Sequence, residues 1–371
     1  MSPRTRGVNT IARRRLANQH LVSPSLSRAA EIVRALGAVQ AQDYAGAKWA
    51  LAQRATGLTD AEIERAFAAG EILRTHVLRP TWHFIVPGDA RWMLALTAPR
   101  VVAAMAYHTR QLGLDAATFR KSHPALERAL RDGRQLTRAE LSAVLARAGV
   151  KAPTGAHIAQ ILMQAELDRV IISGARQGKH MTYALFDERV PAAPARDRDE
   201  SLDDLTRRYF STRGPASLHD FAWWSGLTIR DAQRGVDAAG SSLVRETYEG
   251  KAYWSAATDQ THGRWTRVAH LLPNYDECFV GFRDRSAFAG RVRPLRPKGR
   301  VDALMGHVVF LDGEIVGGWR RALGKRAELE LQLMVDLSRS ERTLVERAAR
   351  RLGEFLGLPV HVNAKVRNRG G

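Results

Sequence analysis

The feature that most constrains this chain is repetition. A pattern of two helices followed by a hairpin is written three times before residue 266. Its clearest copy runs through "RQLTRAELSAVLARAGV", "TGAHIAQILMQAELDRV" and "VIISGARQGKHMTYALF". Thr137 and Glu140 have the spacing of a reciprocal helix cap, and Leu141, Val144 and Leu145 share one helical face. Ile158, Ile161, Leu162 and Ala165 stripe the second helix, and the last segment reads as two short strands around a Gly-rich turn. In "GPASLHDFAWWSGLTIRDAQRGVDAAGSSLVRETYEGKAYWSA", Ser217 and Thr228 open two helices and the final stretch supplies the hairpin. A less regular copy comes first, from "LSRAAEIVRALGAVQAQ" through "TDAEIERAFAAGEI" to "LRTHVLRPTWHFIV", with Arg79-Pro80 at its hairpin turn. Two helices and a hairpin make a winged helix-turn-helix.

The texture changes after residue 266. "GHVVFLDGEIVGGWRRAL" alternates around Asp312-Gly313, a hairpin signal, "ELELQLMVDL" alternates again, and "SERTLVERAARRLGEFLGL" is an amphipathic helix. The Pro- and Arg-rich "VPAAPARDRDES" reads as a linker between the second and third units. The expected fold is therefore α+β. Three tandem winged helix-turn-helix units span 1–110, 111–195 and 196–265, and a C-terminal β-rich domain spans 266–371.

Charge narrows the partners. Lys plus Arg number 57 against 38 Asp plus Glu, a formal +19, which points to phosphate on nucleic acid or an anionic membrane. No apolar run approaches the roughly 18 residues of a spanning helix, and the basic first twenty residues lack the apolar core of a secretory signal. Cys278 is the single cysteine, which excludes an intramolecular disulfide and fits a reducing cytoplasm. Twelve scattered histidines show no zinc spacing, so no metal and no cofactor are expected. "GARQGKH" imitates a phosphate-binding loop, but it is one residue short between its glycines and has His180 where Ser or Thr should hold Mg²⁺. It fits better as a basic wing tip in which Arg176 and Lys179 meet a phosphate backbone, or as a solvated turn. Ser225 in "WWSGL" lacks the first glycine of a nucleophile elbow, and Trp223 and Trp224 read as core aromatics.

The stretch "LGAVQAQDYAGAKWAL" is the most informative for chemistry. Gly37 is placed to end one helix and Asp43 to cap the next, which leaves 38–42 as a connector. On a helix, Gln40 and Gln42 would point about 200° apart. In an extended connector they project to one side, with Val39 and Ala41 turned inward. Such a pair could form a two-amide site, or could merely satisfy backbone groups in the turn.

Together with "LRTHVLRPTWHFI" and "HLLPNYDECFVGFRDRS", this stretch resembles the AlkZ-like family of winged-helix DNA glycosylases, over nearly the whole chain. The resemblance implies a C-shaped clamp on double-stranded DNA with an open concave groove. It also implies a Gln-aliphatic-Gln catalytic signature, which falls on Gln40, Ala41 and Gln42, although Ala41 is the smallest residue that could fill the aliphatic slot. Gln at the last position, where a sister branch has Asp, implies excision of bulky N7-alkylguanine adducts of a natural product. Repair or self-resistance in a bacterial producer would follow. Asp43 stands beside the signature as a cap or, alternatively, a direct catalytic group. Lys48, a possible Schiff-base former, lies a turn or more away on the same helix, which favours hydrolysis by water. Arg79 is a candidate phosphate contact, and His83 is expected to support the site or contact the DNA backbone, or else to be a core histidine. The rival reading is a transcriptional regulator that binds DNA without chemistry, but the chain shows no dimer helix and is expected to be a monomer. A drug-sequestering binding protein is a third possibility.

Overall fold

A computed structural model describes residues 3–258, 265–292 and 306–366. Helix α1 (Pro3–Asn18) precedes the first unit, which comprises α2 (Ala29–Leu36), β1 (Val39–Gln40), α3 (Tyr44–Ala52), α4 (Asp60–Ala69), β2 (Leu73–His76) and β3 (Trp82–Ile85). The long helix α5 (Pro87–Gln111) leads to the second: α6 (Ala116–Leu130), β4 (Leu136–Thr137), α7 (Arg138–Arg147), α8 (Gly155–Leu167), β5 (Ile171–Ser173), β6 (Thr182–Leu185) and the short α9 (Phe186–Arg189). The third contains α10 (Arg198–Arg213), α11 (Leu218–Ser225), α12 (Ile229–Ala239), β7 (Leu243–Tyr248) and β8 (Lys251–Ala256).

The three units share one topology. A short strand between the first two helices pairs with the second strand of the hairpin, giving sheet orders β1-β3-β2 and β4-β6-β5. In the third unit that short strand shrinks to one bridge, Ala216 to Trp254, beside the β7-β8 pair. The caps anticipated at Thr137, Ser217 and Thr228 all form, each accepting the backbone N–H three residues on.

The last region holds β9 (Ala269–Leu272), α13 (Glu277–Val280), β10 (Val308–Leu311), β11 (Glu314–Leu323), β12 (Ala327–Leu333), α14 (Arg339–Leu356) and β13 (Val360–Val366). Its strands form one sheet in the order β13-β12-β11-β10-β9, with only β12-β13 parallel. The β10-β11 turn is Asp312-Gly313, both at positive φ (54° and 89°), the backbone that a tight hairpin demands.

Core packing ties the regions together unequally. The helices of the first unit share an apolar cluster with the C-terminal sheet and α14, through Ile32, Trp49, Phe67, Trp319 and Phe355 among others. The second unit has its own cluster around Leu126, Leu141, Ile161 and Tyr183. Only a strip of it, including Met163, Leu167 and Phe186, joins the core around α5 and the third unit. Helix α1 corrects the expected grouping of residues 1–110, because it packs on the third unit. Arg14 donates to Ser255 Oγ at 2.8 Å, and Arg15 Nε donates to the Pro215 carbonyl at 2.9 Å. The expected boundary near residue 266 adjoins residues 259–264, which lie outside the described residues.

Candidate active site

Helix α2 ends at Gly37, whose φ of 78° turns the chain as a residue with a Cβ rarely could. The chain then runs extended. Val39 lies opposite Phe84, Gln40 lies opposite His83, and Ala41 N–H donates to the Trp82 carbonyl at 2.7 Å. Asp43 stops the strand by capping α3, accepting from Gly46 N–H at 3.0 Å. Val39 and Ala41 are buried in the apolar cluster between α2 and the C-terminal sheet. The alternation leaves Gln40 and Gln42 for the other side.

The two amides have different surroundings. Gln40 is buried, and its Oε1 accepts from Arg79 Nη2 at 2.7 Å. Gln42 is exposed, and its Oε1 stands 3.5 Å from Trp82 N–H, the outer limit of a hydrogen bond. As β1 is an edge strand, the Gln40 N–H points away from β3 and must find a partner. It donates to Glu277 Oε1 at 2.8 Å. The other oxygen of this fully buried carboxylate accepts from Arg213 Nη2 (2.6 Å) and Trp224 Nε1 (2.9 Å). Arg213 also donates to the carbonyls of Leu36 and Ala38. Residues from three regions thus fix the backbone under the two glutamines.

Several expected roles change. Arg79 does not stand ready for phosphate, because its second terminal nitrogen donates to the Trp223 carbonyl at 3.3 Å while the first holds Gln40. Burial pushes its guanidinium down to about 10; Glu277 opposes the shift and Arg213 and Arg285 add to it, so it remains charged at neutral pH. His83 is fully buried and cannot reach DNA. Its strand is the centre of a three-stranded sheet, and His83, Phe84 and Ile85 are all buried there. Its Nδ1 pairs with the Thr81 carbonyl at 2.9 Å, and burial, with Arg79 nearby, holds its pKa well below the usual value. It is a neutral core histidine under Gln40. Arg176 is not a free wing-tip cation either, since it pairs with Glu64 and lies 5.2 Å from the Tyr44 ring centroid. Lys179 is exposed at the β5-β6 turn. Lys48 is buried between Asp60 (2.9 Å) and Glu64 (2.8 Å), directed away from the connector. Trp224 is core, but Trp223 is 46% exposed at the edge of the site.

Sequence reasoning overlooked Arg74, Trp82, Arg213 and Glu277. Arg74 Nε donates to the Ala41 carbonyl at 3.0 Å, and its guanidinium lies 4.2 Å from the Trp82 ring centroid. Both residues stand in "LRTHVLRPTWHFI", and Glu277 stands in "NYDECF", so the motifs held them without showing their roles. Arg213 carries no local signal. Among the described residues no group of three His, Cys, Asp or Glu side chains could hold a metal, and no helix is long and apolar enough to cross a membrane.

Repeated helix-hairpin units and a C-terminal sheet thus frame two glutamines, Gln40 at the end of edge strand β1 and Gln42 just beyond it. The family model for AlkZ-like DNA glycosylases matches residues 33–355, and the chain belongs to that family. The fold is that of the DNA glycosylase AlkZ of Streptomyces sahachiroi, at 22% identity with a TM-score of 0.77, covering 96% of this chain and 99% of that one. No curated protein sequence matches. The chain is a DNA glycosylase of mixed α+β fold.

Proposed function

We propose that this glycosylase hydrolyses the N-glycosidic bond of bulky N7-alkylguanines in duplex DNA, as a cytoplasmic monomer engaged in repair or self-resistance. Its three helix-hairpin units act as winged helices that, with the C-terminal domain, form a C-shaped face toward DNA. The observation that carries the reading is the unequal amide pair: Gln40 fixed by Arg79 and Glu277, and Gln42 exposed beside Trp82.

An N7-alkylated guanine already bears positive charge. When the bond from C1′ to N9 breaks, its electron pair neutralises the base, so no general acid is required. What remains is to orient a water toward C1′ and to stabilise the sugar cation that develops. A neutral amide cannot take a proton near pH 7, so the bond must be largely broken before water adds, and the proton of that water passes to solvent. The Gln42 oxygen has only a weak partner and is free to accept from the water. The Gln40 oxygen is already engaged by Arg79, so Gln40 serves as the rigid support of the pair. An exposed site also suits a bulky lesion, which would not fit a snug flipped-base pocket.

Single-turnover excision of a defined N7-alkylguanine tests the assignment. Gln42→Ala should slow it by on the order of 10²-fold, about 2.7 kcal/mol, with DNA affinity unchanged. Gln40→Ala should also slow it, while Asp43→Asn should cost far less because Asn still caps a helix. Full activity in the Gln40→Ala, Gln42→Ala double variant would overturn the proposal.

A further inference from the structure

A cleft of about 700 Å³ lies between the first and second units, walled by Arg74 and Trp82 on one side and by Arg138, Thr154, Lys179 and Tyr183 on the other. Its lining contains two arginines, a lysine and His180, and no carboxylate. In a chain with 38 acidic residues, most of whose site cations are ion-paired, that composition is selective. Arg74 is half-buried and has no carboxylate partner within salt-bridge distance among the described residues. Burial lowers its pKa, and Glu166 is the first of the groups opposing that shift, so an anion in the cleft would stabilise its charge. The 13-residue helix α8 opens into the same cleft without a side-chain cap, because the Thr154 hydroxyl pairs instead with His157. Its first backbone N–H groups therefore remain available to an acceptor. The cleft also adjoins the reacting site, since Arg74 holds the Ala41 carbonyl and Trp82 faces Gln42.

We infer that this cleft seats a phosphate of the lesion-bearing DNA strand, immediately beside the nucleotide presented to Gln42. The inference rests on the connector being the reacting site. The second unit would then do more than add general affinity: by fixing one phosphodiester it would set the distance of the sugar from the two glutamines.

The test uses the full chain and a duplex carrying a stable abasic-site analogue, which fixes the register without any excision. Single phosphates around the analogue are neutralised in turn as methylphosphonates, and binding is measured by fluorescence anisotropy across a salt series. At one position, or two adjacent ones, on the analogue-bearing strand, neutralisation should weaken wild-type binding by about tenfold. The Arg138→Gln, Lys179→Gln double variant changes two exposed side chains, and it should lose that sensitivity and flatten the salt slope by about one phosphate. Arg347→Gln, on the exposed side of α14, should keep the position-specific sensitivity. A double variant that retains the sensitivity at the same position overturns the inference. So does the absence of any position-specific effect together with binding that depends on the size of an adduct, which would put the adduct's substituent in the cleft. Failure of the wild-type chain to excise an N7-alkylguanine from a duplex of the same sequence, with the phosphate effect intact, would instead overturn the proposed substrate and spare the cleft.

Discussion

The first and second units use the same short strand for opposite ends. In the second, Leu136 lies opposite Tyr183, the second residue of its hairpin strand, and the chain enters its helix cap at once with Thr137. In the first, Gln40 lies opposite the equivalent residue, His83, but the chain continues through Ala41 and Gln42 before capping at Asp43. Those two additional residues carry an amide out of the ladder and into solvent. The second unit also has a glutamine here, Gln135, and its fate is purely architectural: its Oε1 accepts from Ala175 N–H at 2.6 Å and from the Thr182 hydroxyl at 3.4 Å. One scaffold therefore supports a structural glutamine in one copy and an exposed one in the other. The difference lies in the length of strand before the cap.

The largest effect that would break this contrast is Glu277→Ala. It strands the Gln40 N–H, Trp224 Nε1 and the buried Arg213 together, and should destabilise the protein by about 3–5 kcal/mol in urea unfolding. The second unit has its own core and no contact with this carboxylate, so hydrogen exchange there should outlast exchange in the first. Next in size is catalysis. Gln42→Ala should cost about 2.7 kcal/mol of transition-state stabilisation, while Gln135→Ala should leave excision unchanged in the same single-turnover assay.

Acid supplies a third probe. A histidine whose folded pKa is depressed contributes stability that is complete above its unfolded value and is lost as pH falls below it. His83 is held well below the usual value by burial, and His270 is pushed down to about 3. Each should remove about 1.4 kcal/mol per pH unit as the solution falls below about pH 6.5. Both belong to the first unit and the C-terminal sheet, so chemical denaturation at pH 5.5 should weaken that body most. A His83→Gln variant that keeps the full pH slope would contradict this. The smallest effect is Gln135→Ala on stability, about 1 kcal/mol for its lost hydrogen bonds, seen as weaker exchange protection near Ala175 alone.

Local chemistry was legible in the sequence. Gly37, Asp43 and Thr137 bound helices where their side chains or conformational freedom dictate, and Asp312-Gly313 turns its hairpin. The extended connector followed from two caps with five residues between them. What sequence could not supply was reach. The partner of the Gln40 N–H is 237 residues away, and nothing in the spacing of Glu277 or Arg213 announces it. His83 misled because alternation does not say which residues of a strand meet solvent, and in this one only Trp82 does. Trp223 and Trp224 look alike in the sequence, yet neighbours on a helix point about 100° apart, which sends one to the core and the other to the rim.

The docking of α1 also bears on how the chain matures during synthesis. Arg14 finds its partner Ser255 only 241 residues later. At ribosomal speeds of roughly 5–20 residues per second, that interval is about 12–50 s. Meanwhile the second unit, whose core closes within its own sequence, can fold as soon as it emerges. The nascent first unit, with the glutamines already made, must wait for the C-terminal sheet. The enzyme should therefore become competent late and in a single step, when the final strands arrive to close over the helices of the first unit.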